Sequence, residues 1–207
     1  CSSLRRESGA SNQSLCRASR QFGRLGMATA ADLCTMPTRS LRPSGCGRWI
    51  VEHFRSHRRR TPWDFCWRIT LEGLAVAVAL AIPLKVLGVA EREVPDVSGS
   101  ALLVFGTIVA PLVETLVFQA LPIAAARELG ARFEWQVIAS AAAFFAAHLF
   151  GGVGTGVCAG LVGGFYLAFT YAHWRERNRW TAFWVTALTH ALSNGATILA
   201  AIAFSQT

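Results

Sequence analysis

Charged side chains are scarce in this sequence of 207 residues, where they make up only 15% of the chain. A soluble domain usually carries about 25% charged residues. Hydrophobic residues make up 53% of the chain, and the mean hydropathy is +0.38. This composition argues against an ordinary soluble domain and indicates a protein that is embedded in a membrane.

The sequence also lacks closely spaced cysteines. Six cysteines stand at positions 1, 16, 34, 46, 66 and 158, and no two of them form a C-x-x-C pair. This spacing indicates neither a zinc knuckle nor the disulfide framework of a small secreted protein. We therefore expect unpaired thiols in a reducing compartment.

Acidic residues are rare in the first 60 residues, where twelve arginines face three acids for a net charge of +9. Residues 61–207 carry eight basic residues and nine acids, a net charge of −1. The basic segment has no apolar periodicity, so it cannot bury enough surface to offset the entropy of ordering it. We predict two regions: a basic, disordered segment over 1–60 and a folded transmembrane domain over 61–207.

Three interpretations of the basic segment remain open: a disordered tail, sequence translated from upstream of the true start codon, or a transit peptide. Its arginines are expected to attract anionic lipid headgroups. No nucleic-acid partner is expected, since the sequence has neither an RNA-binding aromatic signature nor a Cys/His finger.

Five apolar stretches follow, at about 69–90, 101–126, 136–150, 153–173 and 181–204. A membrane-spanning helix needs about 20 such residues, and the alternation typical of membrane β-strands is absent. The predicted fold is therefore an all-α, polytopic transmembrane bundle of about five helices. The third stretch is short and is expected to borrow residues from the connection at 132–135 or from the glycines after Phe150. Glycines at 152, 156, 160 and 164 predict close packing of the fourth helix against a neighbour.

The loop charges predict the orientation of this bundle. Five arginines precede or begin the first helix, the loop at 91–100 is net acidic, and the loops near 127–135 and 174–180 carry two and three arginines. Basic loops favour the cytoplasmic side, and five crossings place all three basic segments on one side. We predict a multi-pass protein of the bacterial plasma membrane with a cytoplasmic N-terminus.

Ionisable side chains inside a bilayer are costly, so they mark candidate functional sites. Glu114, His148 and His190 fall within the second, third and fifth stretches. At about 1.5 Å of rise per residue, all three lie roughly 14–18 Å from the basic side. Asn194 shares a helix face with His190, and Phe144 shares one with His148, because each pair is four residues apart. His173, at a boundary, is expected to be solvated.

These residue types at one depth predict hydrolysis, in which Glu114 takes a proton from water while the histidines orient that water or bind a metal. Two histidines and one carboxylate, namely His148, His190 and Glu114, are also a recognised zinc-ligand set, so a Zn²⁺ cofactor is one expectation. Asn194 is placed to donate hydrogen bonds to an oxyanion. A b-type haem held by the two histidines is a competing interpretation.

The polar residues lie in three motifs that resemble those of the CPBP family, the CAAX-protease and bacteriocin-processing (ABI) intramembrane proteases. The family pattern is E-E-x-x-x-R, F-x-x-x-H and H-x-x-x-N on successive helices. The matching segments here are 114–119, 144–148 and 190–194, within about 100–200. Thr115 and Gln119 replace the second glutamate and the arginine of the first motif. Because both charges are lost together, we expect the two side chains to form a neutral hydrogen-bonded network instead.

The resemblance implies a membrane metalloendopeptidase with Glu114, His148, His190 and Asn194 as its catalytic residues, supported by Thr115, Gln119 and Phe144. It also implies a peptide or protein substrate at the membrane, either prenylated or a leader peptide. A membrane scaffold or a bacteriocin self-immunity protein without catalysis is the alternative that the altered first motif leaves open.

Overall fold

The computed structural model describes residue 56 and residues 61–89 and 99–205. Five helices in these ranges are long and apolar enough to cross a membrane, which confirms the predicted all-α transmembrane fold. The prediction of disorder over 1–60 lies outside the described residues, apart from Ser56. The helices are α1 (Pro62–Val86), α2 (99–128), α3 (Phe133–His148), α4 (Val153–Arg175) and α5 (Arg179–Ser205).

Polar caps set where two of these helices begin. The Thr61 hydroxyl accepts a hydrogen bond from the backbone N–H of Asp64 at 3.3 Å, so α1 starts seven residues before its apolar run. Asn178 caps α5 in the same way, accepting from the N–H of Trp180 at 2.7 Å. The third helix starts at Phe133, so it takes residues from the preceding connection, as predicted.

Short connections make successive helices antiparallel. Residues 129–132 join α2 to α3, and residues 176–178 join α4 to α5. The starts of α1, α3 and α5 and the ends of α2 and α4 therefore lie together at one end of the bundle. We call this the basic end, because Arg68, Arg127, Arg132, Arg175 and Arg179 lie there. Its assignment to the cytoplasm stays a prediction.

Buried apolar side chains concentrate in the half of the bundle nearest the basic end. The cluster includes Phe65 of α1, Ile123 of α2, Val137 of α3 and Trp174 of α4. His173 belongs to the same region: its ring stacks on Phe65 with a centroid distance of 5.5 Å, and it is only 8% exposed. The prediction that His173 is solvated is wrong, because α4 continues past it and turns it into the core.

Helix α4 approaches α3 closely along a row of glycines. A Cβ atom added at Gly160 would lie 2.9 Å from Cβ of His148 and 3.0 Å from Cα of Phe145. Gly156 and Gly164 approach Leu149 and Phe144 in the same way. This confirms the predicted glycine-mediated packing, except that Gly152 lies before α4 with a φ of 102° and belongs to the turn.

Helix α2 is irregular around Glu114. Two π-helical segments, Phe105–Val109 and Thr115–Ala120, flank the α-helical segment Ala110–Glu114. A carbonyl from each π segment bonds to a side chain of another helix: Gly106 accepts from Asn194 at 2.9 Å, and Phe118 accepts from Ser140 at 2.7 Å. Such segments often occur at functional sites, and these two lie on either side of the segment that carries Glu114.

Candidate active site

A cavity of about 260 Å³ lies among helices α1, α3, α4 and α5. Four of the predicted site residues line it: Phe144, His148, His190 and Asn194. The wall contributed by α1 is apolar and includes Ile69, Leu74 and Val78. The cavity thus brings the second and third motifs together beside a surface suited to an apolar chain. Its volume is below the range of about 300–1,000 Å³ typical of pockets for larger ligands and gives no support to a haem site.

Glu114 joins this group through His190. Its Oε2 atom lies 3.6 Å from Nε2 of His190, and the two side chains are 27% and 5% exposed. Glu114 itself is absent from the cavity lining. The carboxylate therefore contacts the imidazole that borders the cavity, and a single water molecule bound at this contact would reach both groups.

The Phe144 side chain organises the two histidines. It is almost fully buried, its ring centroid lies 4.1 Å from that of His148, and it meets His190 edge to face at 5.7 Å. Nδ1 of His148 lies 3.0 Å from the Phe144 carbonyl oxygen. A carbonyl can only accept, so Nδ1 carries the proton and Nε2 of His148 has the free lone pair. That nitrogen is the one available as a base or a ligand.

Asn194 is oriented from α2. One N–H of its amide donates to the Gly106 carbonyl at 2.9 Å. A side-chain amide has two N–H groups, so the second remains for a group in the cavity that Asn194 lines. The π segment that contains Gly106 thus holds the amide in place, which fits the predicted oxyanion-binding role.

Thr115 and Gln119 do not form the expected neutral network. Both are fully buried, and among the described residues no hydrogen-bond partner is found for the Thr115 hydroxyl or for either polar atom of the Gln119 amide. That prediction is wrong because the two side chains, on one π segment, do not come within bonding distance of each other. Thr115 follows Glu114 directly in the chain, and Gln119 lies five residues after Glu114. Neither side chain donates a hydrogen bond to the Glu114 carboxylate.

Two polar residues near the cavity, Tyr166 and Glu72, were not identified as site residues from the sequence. The hydroxyl of Tyr166, which lines the cavity, donates to Oε1 of Glu72 on α1 at 2.9 Å. Glu72 is ten residues into α1, about 15 Å from the basic end. An acid inside an apolar run is itself a signal of an intramembrane site, and Glu72 carries that signal as clearly as Glu114 does.

A three-ligand metal site does not fit this arrangement. Among the described residues, no group of three His, Cys, Asp or Glu side chains is placed to hold one ion. Glu114 contacts His190, and His148 lines the cavity, but the three predicted ligands do not converge.

These features define a polytopic membrane protein with a carboxylate–imidazole pair inside the bilayer region. Residues 97–196 match the model of the Rce1-like family, described as type II CAAX prenyl endopeptidase Rce1-like. This part of the chain is therefore similar to the CAAX protease family that its motifs resemble, and that family is one of membrane proteases. Comparisons with curated proteins and with solved structures found no significant match.

Proposed function

We propose that the protein is an intramembrane endopeptidase that hydrolyses a peptide bond by glutamate-activated water. The observation that carries the proposal is the contact between Glu114 and His190 at 3.6 Å, beside a cavity that His148 and Asn194 also line. The match of the surrounding residues to this family supports the same reaction class. The apolar wall of α1 supports a substrate with an apolar segment next to the bond that is cut, such as a prenylated protein or a leader peptide.

In this proposal, water at the Glu114–His190 contact gives a proton to the carboxylate as its oxygen attacks the peptide carbonyl carbon. The carbonyl oxygen becomes an oxyanion, which accepts a hydrogen bond from the second N–H of Asn194. The tetrahedral intermediate then collapses, the C–N bond breaks, and Glu114 returns the proton to the departing amine. Nε2 of His148 orients the water or the substrate from the cavity wall.

The test compares wild type with Glu114→Gln in liposomes, using membrane-proximal peptides that include CAAX-type and leader-peptide sequences. Gln keeps the shape of Glu but cannot take a proton, so we expect cleavage to fall by about 10²–10⁴-fold. Insertion and thermal stability should stay close to wild type. A Glu114→Gln variant that cleaves at the wild-type rate would disprove the proposed role of Glu114 as the base that activates water.

A scaffold or self-immunity protein is the second candidate, favoured by the altered first motif, in which the side chains of Thr115 and Gln119 have no hydrogen-bond partner among the described residues. It predicts that a cellular phenotype survives alanine at both Glu114 and His190. An endopeptidase predicts that the same double variant loses the phenotype while the protein still accumulates in the membrane. Measuring phenotype and membrane level together separates the two candidates.

A further inference from the structure

Five polar atoms that the proposed mechanism does not use are buried on the two helices that carry the catalytic pair, α2 and α5. They are Oγ1 of Thr115, Nε2 and Oε1 of Gln119, Oγ1 of Thr186 and Nδ1 of His190, and none has a hydrogen-bond partner among the described residues. Native proteins satisfy nearly all buried polar atoms. A concentration of unsatisfied atoms in one place therefore indicates a bound polar ligand.

The helix register places these atoms together. The contact between Glu114 and His190 aligns α2 with α5, and α5 packs against both Ala110–Glu114 and Thr115–Ala120. Gln119 lies five residues from Glu114 toward the basic end, and Thr186 lies four residues from His190 in the same direction. At about 1.5 Å per residue, Gln119 and Thr186 each lie about 6–8 Å closer to the basic end than the Glu114–His190 pair. They are therefore at a similar depth on neighbouring helices.

The chemistry of these atoms selects the ligand. The amide of Gln119 offers a donor and an acceptor, and each threonine hydroxyl offers both. None of these groups carries a formal charge, so an ion would find no countercharge among them. A small neutral molecule that donates and accepts hydrogen bonds fits the site, and water is that molecule.

We propose that Thr115, Gln119, Thr186 and Nδ1 of His190 line a buried hydration site, which we call the polar chamber. Its water bonds to Nδ1, and the bond holds the imidazole so that Nε2 points at Glu114. Gln119 and Thr186 are therefore positioning residues for His190. The hydration itself is independent of the proposed function, whereas its effect on catalysis rests on that function.

An isosteric change distinguishes a hydrated chamber from a dry one. Thr186→Val removes a hydroxyl without changing shape. If the hydroxyl binds water, its loss should lower the apparent Tm in detergent by about 2–4 °C. If the site is dry, removing an unsatisfied hydroxyl should raise the Tm, and that result would overturn the proposal. Thr170→Val is the matched control, because the fully buried Thr170 hydroxyl already donates to the Tyr166 carbonyl at 2.7 Å.

A second readout keeps the proposal testable if Thr186→Val folds poorly. The ¹⁵N resonance of Nδ1 in His190, assigned by its loss in His190→Gln, reports the hydrogen bond at that nitrogen. Gln119→Leu should shift this resonance, and Thr170→Val should leave it in place. A resonance unchanged by Gln119→Leu would contradict the chamber. Neither readout depends on proteolysis, so failure of the chamber and failure of the peptidase assignment are separately visible.

Discussion

Replacing Gly160 by alanine tests whether the close approach of α4 to α3 holds the site. The new Cβ would lie 2.9 Å from Cβ of His148 and 3.0 Å from Cα of Phe145, and the second of these is a backbone atom that cannot rotate away. Overpacking of this kind costs about 1–3 kcal/mol. Alanine also gains about 1 kcal/mol over glycine in a helix, so the net loss of stability is about 0–2 kcal/mol.

Gly163→Ala is the control that separates the steric clash of Gly160→Ala from the gain in helix propensity. Gly160 and Gly163 both lie in a π-helical segment of α4, Gly156–Gly163, and a Cβ added at Gly163 meets nothing within 4 Å. The two variants share the propensity gain, so their free energies of unfolding should differ by the clash alone, about 1–3 kcal/mol. For a chain of this size that corresponds to about 2–12 °C in apparent Tm, measured by thermal unfolding in detergent. Gly160→Ala should also lower kcat, because α3 must move at His148. Equal Tm values for the two variants would refute the close approach.

Three further predictions concern the groups around the cavity. Tyr166→Phe should lower the free energy of unfolding by about 0.6–2 kcal/mol, because it removes the hydrogen bond to Glu72 inside the membrane-spanning bundle. A double-mutant cycle with Glu72→Ala measures the coupling between the two side chains, and additive losses of stability would argue against the hydrogen bond. Asn194→Ala should lower kcat by about 10²–10³-fold with little change in KM, as expected for an oxyanion donor; a kcat within threefold of wild type would disprove that role. A chelator should leave cleavage unchanged, because the predicted ligands do not converge, and loss of activity that zinc restores would show otherwise.

The helices and the grouping of the motifs could be predicted from the sequence because both depend on local patterns. The length of each apolar run predicts a membrane-spanning helix, and all five appear. The depth estimate for Glu114 and His190 rests only on helix rise and loop charge, and the two side chains are in contact. Asn194 and His190 are four residues apart on one helix, so they share a face and line the same cavity.

Features that depend on a second helix could not be predicted in this way. The sequence of α2 shows no pattern that predicts its π segments. Each segment accepts a hydrogen bond from a residue on another helix, Asn194 in one case and Ser140 in the other. The burial of His173 depends on Phe65, which is more than 100 residues away in the chain. For Thr115 and Gln119 the sequence shows that both charges are lost, but only the three-dimensional arrangement shows that the neutral side chains do not bond to each other.

The two π segments of α2 have a consequence for insertions and deletions in this region. Each π turn holds more residues than an α turn, and each amino acid turns an α-helix by about 100°. Deleting one residue from 105–109 or 115–120 would restore a regular helix and rotate Glu114 relative to one of the two interhelical bonds, that of Asn194 to Gly106 or that of Ser140 to Phe118. Related chains should therefore vary by substitution between 105 and 120 while keeping the number of residues there constant.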